Sequence, residues 1–200
     1  MGKTLIIYAH PHTQGHCLLI KDEVQRQLRE HKVEYNFFDL YALKYDPVLH
    51  ENEHYTAGAD HREISDQNKM FQKKISEAEK LIFIYPIWWN SMPAILKGWC
   101  DRVFTSHFAF KYGRFGISFA PIPLLRGKEA LLLITGGSPR ILSWIFLRDR
   151  AAKIMSKDIL GFCGIRTSVC QFGNCRTLTD EKAEKIKKTT AKKLASFYGW

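Results

Sequence analysis

The chain is short of cysteine, and the cysteines it has are wrongly spaced for cross-linking. Cys17, Cys100, Cys163, Cys170 and Cys175 are an odd set without a Cys-x-x-Cys pair. This argues against a disulfide framework and a zinc ribbon and leaves free thiols as the expected state. Long apolar runs are also missing: none approaches the roughly 20 residues that span a bilayer. Leu5 to Ala9 is too short for the centre of a signal peptide. The expectation is a soluble cytoplasmic protein with no stable membrane insertion. Neither G-x-G-x-x-G nor a Walker lysine motif occurs, so a classical dinucleotide fold or a P-loop is a weak reading. Repeats, low-complexity tracts and linkers are absent too, which predicts one domain over residues 1–200. Eight histidines include His10, His12 and His16 in "HPHTQGH". Pro11 and Gly15 deny them a common helical or strand face, so no metal is expected.

What the chain has in excess is positive charge, +10 formally. Many of its lysines fall in the last helical segment, "TDEKAEKIKKTTAKKLASFYGW", where Ala183, Ile186, Thr190, Leu194 and Phe197 make an apolar stripe. The lysines then solvate the outer face, and no nucleic-acid partner is expected. A basic surface does favour encounter with anionic small ligands.

Five short apolar runs read as strands: 3–9, 33–40, 81–85, 129–135 and 166–172. They alternate with helical periodicities carrying Cys17, Ile20, Val24 and Leu28, then Met70, Phe71, Ile75 and Ala78, then Ile95, Leu96, Trp99 and Val103. A further periodicity covers 141–160, and the polar stretch 41–63 reads as a surface excursion. Continuous apolar strands joined by helices indicate a parallel sheet covered on both faces. Right-handed crossovers favour the doubly wound order 2-1-3-4-5, which binds ligands at the carboxyl ends of the strands, beside strands one and three.

Three unusual loops should meet at that edge: "HPHTQGH", "PIWWNS" and "GGSPR". The first opens a helix whose free N–H groups and positive dipole end suit a phosphate. The second offers paired indoles to a planar ring, with a core plug as the competing reading. The third, with Gly136 and Gly137, lets backbone amides come close. A planar heterocycle bearing a phosphate, a flavin, fits all three.

"PIWWNSMPAILKGWCDRVF" resembles the signature of the NAD(P)H quinone dehydrogenases, a family that includes drug-activity modulators and the ancillary subunits of potassium efflux systems. "LIIYAHPH", "FAFKYG", "ITGG" and "GFCG" resemble further segments of it. The resemblance implies a flavodoxin-like fold, bound FAD or FMN, NADH or NADPH as co-substrate, two-electron ping-pong hydride transfer to a small quinone, and a homodimer. It implies that His10, Gly15, His16, Cys17 and Leu18 face the flavin phosphates. Pro86, Ile87, Trp88, Trp89 and Asn90 would line the ring, Thr135, Gly136 and Gly137 its polar edge, and Phe110 and Tyr112 the substrate pocket.

Better-known members carry a tyrosine and a histidine after the T-G-G loop; residues 138–165 contain neither. Reduced flavin needs a donor or cation at its N1/C2 carbonyl edge, and a preorganised one is worth about 3–4 kcal/mol. Arg140, Arg148 and the Gly136 and Gly137 amides are the candidates, with Arg140 and Tyr112 taken as catalytic. An ancillary subunit with a membrane-transporter partner and weak or no reductase activity is the alternative. A one-electron carrier would want an acidic docking face, and a phosphorelay receiver an acidic residue where Ala9 and His10 stand.

Overall fold

The computed structural model describes residues 3–54, 63–112 and 121–200. Part of the 41–63 excursion and Gly113 of "FAFKYG" lie outside them. The elements run β1 (Lys3–Tyr8), α1 (His16–Glu30), β2 (Tyr35–Asp39), α2 (Asp66–Glu77), β3 (Ala78–Pro86), α3 (Ala94–Val103) and β4 (Phe110–Tyr112). They continue with β5 (Pro121–Pro123), β6 (Glu129–Thr135), α4 (Arg140–Leu147), α5 (Arg150–Lys153) with a π-helical extension Ile154–Gly161, β7 (Arg166–Phe172) and α6 (Asp180–Tyr198). Five parallel strands form one sheet in the order β2-β1-β3-β6-β7, and β4 pairs with β5 in a separate antiparallel hairpin. The sheet order is the one expected once β4 and β5 are set aside.

The apolar strand runs follow from burial on both faces. On β3, Ile82 and Ile84 meet the side built by Cys17, Ile20 and Val24 of α1 and Ile186 and Leu194 of α6. Leu81, Phe83 and Tyr85 meet Phe71 and Ile75 of α2, Leu96 and Trp99 of α3, and Met155. Trp99 is fully buried, with the rings of Phe71, Phe83 and Phe104 edge-on at 5.6, 5.9 and 5.4 Å between centroids.

Three local expectations change. Ala78 belongs to β3, because α2 stops at Glu77 and the chain turns extended there. The 41–63 excursion is less superficial than its polarity suggests: Arg102 of α3 donates from Nε and Nη2 to Glu53 at 2.7 and 2.9 Å, and both residues are buried. The single helix expected over 141–160 is broken by Arg148 and Asp149, both left-handed at φ 47° and 55°. Its periodicity is real, but the apolar residues of the first part are exposed.

The excursion also explains Gly98. A Cβ there would stand 2.1 Å from the carbonyl oxygen of Pro47. Backbone cannot yield as a side-chain tip can, so Gly98→Ala is expected to cost about 3 kcal/mol, read as a lowered urea midpoint.

Candidate active site

The carboxyl edge of the sheet is tied together by backbone before any side chain acts. The Ala9 N–H donates to Ile84 O at 3.0 Å, Ile87 N–H to Thr135 O at 2.7 Å, and Gly136 N–H to Phe172 O at 2.8 Å. The loops that leave β1, β3 and β6 are therefore held side by side at the β1–β3–β6 end, as the topology requires.

The paired indoles sit in a tight turn. Trp88 and Ser91 exchange both backbone N–H···O bonds at 3.0 Å, and the two residues between them, Trp89 and Asn90, are left-handed at φ 48° and 56°. A bulky aromatic at positive φ is strained by roughly 1–3 kcal/mol, and such strain concentrates at functional sites. Its effect is to hold the Trp89 indole outward, with its surface wholly exposed. Trp89 is not a core plug. Trp88 is partly exposed, and its ring lies 6.3 Å from that of His10.

Beside this turn lies a hollow of about 200 Å³ lined by Ile87, Trp89, Asn90, Gly136, Gly137 and Ser138, with Leu147, Asp149, Ala151 and Gln171 completing it. Gln171 was not apparent from the sequence, where it is one polar letter in a strand. Its Oε1 is buried without a hydrogen-bond partner. No hydrogen bond is recorded for the Gly137 N–H among the described residues.

The first loop ends at Gly15, which caps α1 at φ 101°. No side chain caps the first turn of α1, and no acid stands in it. His16 follows, buried, with Nε2 unpartnered. The His10 Nδ1 lies 3.1 Å from the His12 N–H and 3.3 Å from the His12 carbonyl oxygen, so the ring is tied to the loop backbone at that nitrogen. Burial lowers the basicity of both His10 and His16.

Their folded pKa values lie below the ordinary 6.5. The unfolded chain therefore binds more protons than the fold, and stability rises with pH through that window. This contribution is present above about pH 6.5 and is lost as pH falls below it. Unfolding midpoints are expected to drop between neutral pH and about 5.5, and His16→Gln should flatten that slope.

The other expected site residues are placed as follows. The Cys17 thiol lies 3.2 Å from Thr135 Oγ1, and burial pushes its pKa up to about 12, so these two side chains serve each other and join α1 to β6. Leu18 is half-buried on α1, and Pro86 is buried as the last residue of β3. Arg140 donates from Nη2 to Asp149 at 2.8 Å and from Nη1 to the other oxygen. It lines the neighbouring cavity of about 490 Å³ with Asn174, Thr179 and Lys182, and Gln171 lines both this cavity and the hollow. Arg148 is exposed at the break after α4. Phe110 packs edge-on against Tyr112 and Phe162, at 5.7 and 4.9 Å, and none of the three lines the hollow.

The residues present fit a flavin: an outward indole, side-chain-free Gly136 and Gly137, an unpartnered amide oxygen and an uncapped helix start converge at one edge. Sheet order and site position together define a flavodoxin-like α/β protein. Residues 2–196 match the family model described as flavodoxin-like fold. The chain is 33% identical over 184 residues to NAD(P)H dehydrogenase (quinone) 1 of Cavia porcellus, covering 83% of this chain and 66% of that one. It is 30% identical over 202 residues to the ribosyldihydronicotinamide dehydrogenase (quinone) of Homo sapiens, covering 92% and 86%. A crystal structure from Streptococcus mutans UA159 superposes with a TM-score of 0.81 at 31% identity, over 95% of this chain and 97% of that one. The chain belongs to the flavodoxin-like family that includes the NAD(P)H quinone dehydrogenases.

Proposed function

We propose that this protein is a flavin-dependent NAD(P)H:quinone oxidoreductase. The observation that carries the reading is the strained, outward Trp89 beside a hollow bounded by Gly136, Gly137 and Gln171. A fully wet indole held on a strained turn offers a face that a planar ligand would cover. A bound flavin would supply two-electron transfer between a nicotinamide and a quinone.

The chain's own contributions can be assigned. Trp88, Trp89 and Asn90 bound the ring-binding edge; the first turn of α1 with His10 and His16 faces the phosphate end. Negative charge accumulating near the β6 loop is met by the Gly137 amide N–H rather than by Arg140, whose guanidinium is spent on Asp149, while the unpartnered Gln171 Oε1 would accept from an N–H of the ring. Phe110 and Tyr112 wall the substrate pocket, and since neither lines the hollow of its own chain, they would do so across a homodimer. The two substrates share one pocket in a ping-pong cycle. Tyr112→Ala is accordingly expected to raise the Michaelis constants for nicotinamide and quinone together, with kcat less affected. Sedimentation velocity should give a dimer.

The deciding experiment is stopped-flow bleaching of the reconstituted holoprotein by NADH and NADPH without oxygen, followed by reoxidation with a small quinone. Rapid bleaching and quinone-dependent recovery support the reading. Bleaching too slow to sustain turnover, with either nucleotide, supports the ancillary-subunit alternative, in which the flavin is structural.

A further inference from the structure

We propose that α4 is a membrane-surface anchor that seats the protein on an anionic bilayer. Helix α4 reads Arg-Ile-Leu-Ser-Trp-Ile-Phe-Leu, and Ile141, Leu142, Trp144, Ile145, Phe146 and Leu147 are each between 43 and 75% exposed. Proteins that stay in water rarely leave so dense an apolar cluster uncovered. At 8 residues the helix is about 12 Å long, far too short to cross a bilayer. No helix among the described residues is long and apolar enough to do so. An apolar helix that cannot span can still lie in the boundary between headgroups and acyl chains, where tryptophan and phenylalanine are favoured.

The charge around the helix selects the occupant. Arg148, Arg150 and Lys153 follow it, all exposed, and Arg140 opens it. The one acid in this stretch, Asp149, is closed on Arg140. That ion pair joins the two ends of α4, and the left-handed Arg148 and Asp149 turn the chain sharply back, so the apolar segment is presented as a closed lobe with a cationic collar. Anionic headgroups complement such a collar. A second copy pairing its own α4 with this one across a two-fold axis would set collar against collar, which like-charge repulsion opposes.

The lobe adjoins the site: Leu147 and Asp149 are among the residues lining the hollow beside Trp89. Resting on the reductase reading above, this contiguity points to an acceptor dissolved in the bilayer, a lipophilic quinone, reaching the hollow from the membrane side. The anchoring itself does not depend on that reading.

The test is flotation of the full-length protein with vesicles of phosphatidylcholine containing phosphatidylglycerol, and with phosphatidylcholine alone, at low and high salt. Wild type is expected to float with the anionic vesicles and much less with the neutral ones. Trp144→Glu combined with Phe146→Glu should lower the bound fraction by about tenfold or more, because the apolar face supplies the insertion. These side chains are exposed, so circular dichroism and melting temperature should be unchanged. Arg148→Glu with Arg150→Glu should abolish the preference for anionic vesicles. The proposal is overturned if wild type ignores anionic vesicles, or if the double-glutamate variant binds them as wild type does. It is equally overturned if that variant changes only the sedimentation coefficient, which would make α4 a contact between copies. Vesicle binding requires neither flavin nor nicotinamide, so failure here leaves the reductase reading standing, and failure of flavin reduction leaves the anchor standing.

Discussion

Trp99→Ala is expected to lower the unfolding free energy by about 3–5 kcal/mol, while Trp89→Ala leaves it nearly unchanged. Trp99 is wholly enclosed between α3, α2 and the sheet, with three aromatic rings edge-on around it. Truncation there removes a large apolar contact and opens a cavity that the rings cannot collapse into. In a chain of this length the loss amounts to a melting-point drop on the order of 10 °C. Trp99→Phe should cost less, because the indole N–H it removes is buried without a partner. Trp89 touches water on every side, so its removal relieves a strained backbone and takes away no packing. What Trp89→Ala should lose is flavin affinity. Calorimetry on the apoprotein and fluorescence titration with FMN and FAD separate the two effects. Equal melting losses with unaltered flavin affinity would make the loop tryptophan a structural residue.

The second large effect concerns Gln171. Gln171→Leu keeps the side-chain volume and removes the amide that borders the hollow. Its unpartnered Oε1 would accept from an N–H of the ring, so losing it should weaken flavin affinity on the order of tenfold, with the rate of flavin bleaching by NADH as the second readout. Arg140→Ala should leave that rate close to wild type, because its guanidinium is held by Asp149. The opposite pattern, with Arg140→Ala slow and Gln171→Leu normal, would return the charge-stabilising role to the arginine. It would also require the ion pair with Asp149 to open when the cofactor binds.

The sheet was legible because its signal is redundant: strands buried on both faces are apolar throughout, and "EALLLIT" and "RTSVCQF" mark β6 and β7 to the residue. The site was legible only as loops. That the first, third and fourth loops converge follows from topology, whereas what each side chain does within them depends on partners far away in the chain. Cys17 is drawn to Thr135, 118 positions later. Arg140 is drawn to an acid beyond a backbone break that no periodicity announces. Gln171 acquires its place from the end of β7, where a strand's alternation turns one polar residue toward the hollow. In α4 the helical period was plain, but an apolar period normally signals a buried face, and here the face is bare.

The account turns on the edge bounded by the 9–15 loop, the Trp88–Ser91 turn and Gly136–Gly137 being a flavin site. The measurement that tests this most directly is the visible absorbance spectrum of the protein as purified and after incubation with excess FMN or FAD and desalting, with the released chromophore identified by chromatography. The account predicts a yellow protein carrying flavin non-covalently at close to one per chain, with retention weakened in Trp89→Ala. A colourless protein that retains neither flavin after reconstitution would contradict it.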